Sequence, residues 1–130
     1  MQFPIPVDND EPLARFALER GKFRPSDNTA RHNLFVPAKD NVLSVFRTLE
    51  LSEAQTFSLG DQYVGIPQNR PVLAYATLRA LDFLVENLGV TPTAEPHPRH
   101  VDVEGWSDHA SNLHKAQILA TKSQLVLRLP

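Results

Sequence analysis

The chain has 130 residues, 42% of them hydrophobic and 22% charged, with a formal net charge of −2 at pH 7 and no cysteine. That length suits one domain, able to bury roughly two-thirds of its unfolded surface without covalent staples. The composition excludes disulfides, cysteine-type zinc or iron–sulfur sites and thiol catalysis, and the near-neutral balance supplies no global field for gathering nucleic acid or anionic lipid.

The opening MQFPIPVDNDEP has neither a basic head nor an apolar run and does not read as a signal peptide. No stretch approaches the roughly 18 consecutive apolar residues of a membrane span, and no Asn-x-Ser/Thr acceptor occurs. A cytoplasmic location is the expectation. Eleven prolines against five glycines gather in FPIPV, IPQNRP and TPTAEPHP, where they punctuate loops and element edges within one domain over 1–130.

Residues 1–9 read as extended. DEPLARFALERG (10–21) carries the punctuation of a helix: Asp10 or Glu11 as cap, Pro12 in the first turn and Gly21 past the end. Leu13, Phe16 and Ala17 would form its inner stripe. Residues 22–31 are a polar loop. NLFVP (33–37) and NVLSVFRTL (41–49) read as strands, the second apolar on both faces and therefore central. SEAQ (52–55) fits a capping box, with Ser52 as cap and Gln55 reaching back, opening a short helix to about Leu59. Residues 71–88 satisfy helix and strand periods alike; a strand to about Arg79 and a helical turn ending at Gly89 are expected. Residues 90–95 are extended, VDVEGW (101–106) is a strand, and SDHASNLHKAQILATK (107–122) is a helix capped by Ser107 or Asp108. QLVLRL (124–129) closes the chain as a strand. Strands and helices without a βαβ rhythm give an α+β domain: a mixed or antiparallel sheet with two or three helices packed on it.

The stretch least like filler is HPRHVDVEGW (97–106). As a strand it sets His100, Asp102 and Glu104 on one face and Val101 and Val103 on the other, with alternate residues about 6.6 Å apart. Imidazole and carboxylate are suitable atoms for a general base with its orienting acid, or for a metal. The spacing is equally that of a solvated strand face, and this ordinary reading outweighs the chemical one. Arg47 lies on a strand face with Leu43 and Val45, so it needs a carboxylate partner or a sheet end to snorkel from. Asp102 or Glu104 would supply that partner if the two strands adjoin, with Asp82 and Glu86 as competitors. His100, Asp102 and Arg47 are thus the candidate catalytic residues, and Glu104 and Trp106 the candidate binding residues. Trp106 reads first as a core lid and second as an interface anchor; the glycine before it would admit a closely approaching backbone. No metal site and no cofactor is readable, and phosphate-cradling glycine loops and the GxSxG elbow are absent from the sequence.

Two functions fit. The first is a small cytoplasmic, bacterial accessory or interaction protein without chemistry of its own, contacting a protein partner or forming a homodimer through the terminal strand; no membrane role and no nucleic-acid partner is expected. The second is a small hydrolase-like enzyme acting on an anionic substrate through His100, Asp102 and Arg47, with a metal as an option. The two differ in one observable. The enzyme requires the head groups of His100 and Arg47 to converge with a carboxylate in a concave site.

Overall fold

Leu13, Ala14, Phe16 and Ala17 place apolar groups on both faces of one short extended segment, and that segment is the middle of the sheet. The structure, a computed structural model, describes residues 6–129, so the first five residues of the extended reading of 1–9 lie outside the described residues. In chain order the elements are β1 (Pro12–Ala17), β2 (Phe23–Arg24), β3 (Thr29–Ala30), β4 (Leu43–Arg47), α1 (Glu53–Gly60), β5 (Ala74–Arg79), α2 (Ala80–Leu84), β6 (Gly89–Pro92), β7 (His100–Glu104), α3 (His109–Lys122) and β8 (Gln124–Leu127). Six strands form an antiparallel sheet in the order β6-β7-β4-β1-β5-β8, while β2 and β3 make a separate hairpin. The fold is α+β, with the three helices packed on the sheet.

The helix expected over 10–21 is instead β1. Its helix-like punctuation is real, but Pro12 is equally suited to the first position of a strand, and β5 pairs with all six residues, from Pro12↔Arg79 to Ala17↔Ala74. A strand buried on both faces reads as a continuous apolar run, which helical spacing also satisfies. The strand expected over 33–37 is also corrected. His32–Phe35 forms a 3-10 turn, which lets the adjacent residues Leu34 and Phe35 both face the core. A strand would have turned one of them outward.

The polar loop expected over 22–31 is corrected as well: Phe23 and Ala30, the apolar residues near its two ends, pair across the β2–β3 hairpin and are buried. Elsewhere the elements match. The Ser52–Gln55 capping box is complete: Gln55 N donates to Ser52 Oγ at 3.1 Å, and Ser52 N donates to Gln55 Oε1 at 2.9 Å. The ambiguous 71–88 resolves into β5 followed directly by α2. Asp108 is the cap of α3, accepting from Ser111 N at 2.9 Å.

Two cores lie on opposite sides of the sheet. The larger packs Leu13, Leu43, Val45, Val101, Val103 and Leu78 against α2, α3 and the 3-10 turn, with Phe35, Phe83 and Leu119 among its buried side chains. The smaller packs Ala14, Phe16, Phe46 and Tyr75 against Phe57 and Leu59 of α1. Gly60 lets α1 sit this low, because a Cβ there would stand 2.5 Å from the Phe16 ring. After Gly60 the helix widens into a π turn over Asp61–Gly65 and ends with Ile66–Gln68. The smaller core reaches Phe46 and goes no further across the sheet; on β7, the same face carries His100, Asp102 and Glu104 instead.

Candidate functional site

The polar row forms as an extended strand. Val101 and Val103 are buried in the larger core, and His100, Asp102 and Glu104 take the other face. His100 Nδ1 lies 3.8 Å from Asp102 Oδ1 and 2.6 Å from the Thr93 hydroxyl, and its ring meets Phe46 edge to face at 5.2 Å.

Arg47 does not join them. His100 is paired with Phe46, one residue away, and alternation sends Arg47 to the opposite face, where it is paired with Leu13. Only 1% exposed, Arg47 is clamped by Glu11, with Nε donating to Oε2 at 2.6 Å and Nη2 to Oε1 at 2.8 Å. The expected partners Asp102, Glu104, Asp82 and Glu86 are thus replaced by an acid assigned from sequence to a helix cap. Asp82 accepts from Arg79 N, and Glu86 faces Lys122 at 3.9 Å. The expected convergence of His100, Asp102 and Arg47 does not occur.

The candidate binding residues separate too. Glu104 is exposed, whereas Trp106 is 6% exposed within the larger core, its ring N–H donating to Val103 O at 3.0 Å. Gly105, at φ 98°, accommodates the approaching backbone of Asn87, whose oxygen would lie 3.2 Å from a Cβ. Along the terminal strand Leu125 is buried and Leu129 is 82% exposed, and Leu125 O already accepts from Asn28 Nδ2 at 3.2 Å.

His100 has a different cationic neighbour across a cleft. The cleft, of about 280 Å³, lies between the π turn and the strands; its wall includes Arg15, Phe16, Ser44, Phe46, Tyr63 and His100. The β1–β4 ladder stops at Ala14↔Phe46 although β4 continues back to Leu43. Where it stops, Arg15 supplies the missing donors: Nη1 to Ser44 O at 3.0 Å and Nε to Leu34 O at 3.0 Å. Arg15 and Ser44 both line the cleft, so the Nη1 bond sets the guanidinium at its wall.

Two carbonyls are weak company for a cation. Among the described residues no carboxylate forms an ion pair with Arg15, and two N–H bonds leave three of the guanidinium's five donors without a described partner. Burial pushes its pKa down to about 10, which still leaves it charged at neutral pH. Asp61, the acid of the π turn, is already held by Arg128 through bonds of 2.7 and 2.8 Å. Burial also lowers the pKa of His100, with the Asp102 charge opposing that effect. The Thr93 hydroxyl has carbonyls of Glu95 and His100 within reach for its own proton. With that proton so engaged, it accepts from Nδ1–H, and Nε2 is left as an acceptor.

Sequence reasoning overlooked Arg15 because it falls outside the inner stripe of Leu13, Phe16 and Ala17 in the helix expected over 10–21. The available signal was an arginine flanked by Leu13-Ala14 and Phe16-Ala17, an apolar run too symmetric for a surface charge. Among the described residues there is no grouping of three His, Asp or Glu side chains suited to a metal ion, and no helix is long and apolar enough to cross a membrane. No protein-family model, no curated protein and no solved structure matches this chain.

Proposed function

We propose that this protein is a small accessory protein that binds a small anion in the Arg15 cleft and has no bond-breaking step of its own. The observation behind the reading is Arg15, a half-buried cation with no described carboxylate partner and with donors to spare on a concave wall. Charge-assisted hydrogen bonds are the strong ones, and a guanidinium already stripped of part of its water gives up less on binding. A titration of carboxylates and inorganic phosphate at low ionic strength, followed by calorimetry, tests it. Arg15→Met should weaken binding roughly ten- to hundredfold, the loss of about 1.5–3 kcal/mol for hydrogen bonds to a charged group. Arg24→Met, an equal charge loss at an exposed position of the β2–β3 hairpin, should leave binding unchanged. Equal affinity in the wild type and Arg15→Met would refute the reading.

A second reading is favoured by His100. A neutral imidazole whose Nδ1 is held by Thr93 at 2.6 Å has the preparation of a general base at Nε2. In that case the cleft would hydrolyse an anionic substrate, with Arg15 in the anion-holding role first given to Arg47. Aryl esters bearing a free carboxylate provide the assay. Turnover abolished by His100→Gln with binding retained supports this reading, and turnover no faster than buffer rejects it.

A further inference from the structure

The cleft's chemistry narrows what the anion is. Its single full positive charge is Arg15 and its wall carries no acid, so it balances one negative charge. One planar fork matches a carboxylate; a phosphate dianion would leave a second charge uncompensated. Beyond the guanidinium the wall is largely apolar: Val64, Pro67 and Pro96 stand with Tyr63 and with the little of Phe16 and Phe46 that the smaller core leaves uncovered. The Phe16 and Phe46 rings are 5.7 Å apart and tilted by 59°, and Phe46 meets His100 at 75°. Ring edges flanked by valine and proline offer a flat apolar body a surface to lie against. At the His100 end, Thr93 occupies Nδ1 and leaves Nε2 with a lone pair and no described partner, so this end rewards a donor. A volume of about 280 Å³ is the space of roughly nine waters at about 30 Å³ each. It suits a ligand of about ten non-hydrogen atoms.

Resting on the anion-binding reading above, we infer that the ligand is a monocarboxylate with a flat, aromatic-sized body and a hydroxyl or amino donor at the end away from the acid. The carboxylate lies on Arg15, the body against Phe16 and Phe46, and the donor on His100 Nε2.

Four probes test this by NMR titration of the wild type and Arg15→Met: 4-hydroxybenzoate, the isosteric 4-methylbenzoate, acetate and inorganic phosphate. The expected order is 4-hydroxybenzoate tightest, 4-methylbenzoate roughly tenfold weaker through the lost hydrogen bond, and acetate and phosphate weaker still. All of this binding should fall in Arg15→Met. The ¹⁵N resonance of His100 Nε2 should move upfield with 4-hydroxybenzoate and stay in place with 4-methylbenzoate, a readout that needs no His100 variant to fold. Arg15-dependent binding in which acetate or phosphate equals the aromatic acids overturns this inference and leaves anion binding standing. Equal affinity for the two aromatic acids, or an unmoved Nε2 resonance, removes the donor and with it the inference. Binding of no probe in an Arg15-dependent way overturns both.

Discussion

Two arginines on adjoining strands show how far one side chain's fate depends on its partner. Arg47 has a bidentate carboxylate in the larger core; Arg15 has two carbonyls and a cleft. Breaking a buried pair from one side strands a charge, at about 3–5 kcal/mol, whereas replacing both partners with apolar groups of similar volume is often neutral. Glu11→Leu should therefore destabilise the fold by about 3–5 kcal/mol in urea unfolding, and Glu11→Leu with Arg47→Met should recover most of that. Simple additivity of the two substitutions would show that the pair is not a coupled unit. The need for a buried partner was legible from Arg47's position between Leu43, Val45 and Leu49. Glu11 was not, because a cap assignment placed it at a helix start, 36 residues away in sequence. His100 and Asp102 were legible as neighbours because strand alternation is rigid. The cleft was not, because its cation comes from β1 and its opposite wall from the π turn, elements whose proximity only the folded chain creates.

At the scale of elements, local chemistry decided the outcome wherever it was unambiguous. Ser52 and Gln55 form their box wherever the helix packs, since both bonds lie within one turn. Ser52→Ala should lower stability by about 1 kcal/mol, read from the urea midpoint, and no change would mean that α1 is fixed by packing alone. Packing is tested separately at Gly60, the point where α1 rests on Phe16. A helix interior ordinarily gains from Gly→Ala; here the added methyl meets an aromatic ring, so Gly60→Ala should cost about 1–3 kcal/mol. A stabilised variant would show that α1 can ride outward freely. β1 and the 3-10 turn went the other way. Their spacing fits either period, and the choice rests on six residues of pairing with β5 and on the place of Leu34 and Phe35 beneath α3. Sequence periodicity contains neither.

For the whole molecule, the class was readable because strands and helices without a βαβ rhythm point to a mixed or antiparallel sheet with helices on it, and the sheet is antiparallel. The strand order β6-β7-β4-β1-β5-β8 was not, since it joins segments distant in the chain. The two-faced sheet also sets the acid response. Burial lowers the pKa of His100, opposed by Asp102, and that of His97 is lowered by burial and by the nearby Arg99 charge. Below the ordinary histidine value of about 6.5, the unfolded chain takes up protons that the native one resists, so native stability falls with pH there. The urea midpoint should hold steady above about pH 7 and decline as the pH falls below about 6.5, less steeply in a His97→Gln, His100→Gln double variant. An unchanged slope in that variant would place the acid sensitivity elsewhere.

The claim that Arg15 holds an anion in the cleft is tested most directly by mapping benzoate binding on ¹⁵N-labelled protein at low salt. Saturable amide shifts confined to Arg15, Phe16, Ser44, Phe46, Tyr63, Val64, Gln68, His100 and their immediate chain neighbours, and lost in Arg15→Met, are the predicted result. Shifts that do not saturate, that gather on the Arg24 and Arg31 hairpin, or that survive unchanged in Arg15→Met would contradict it.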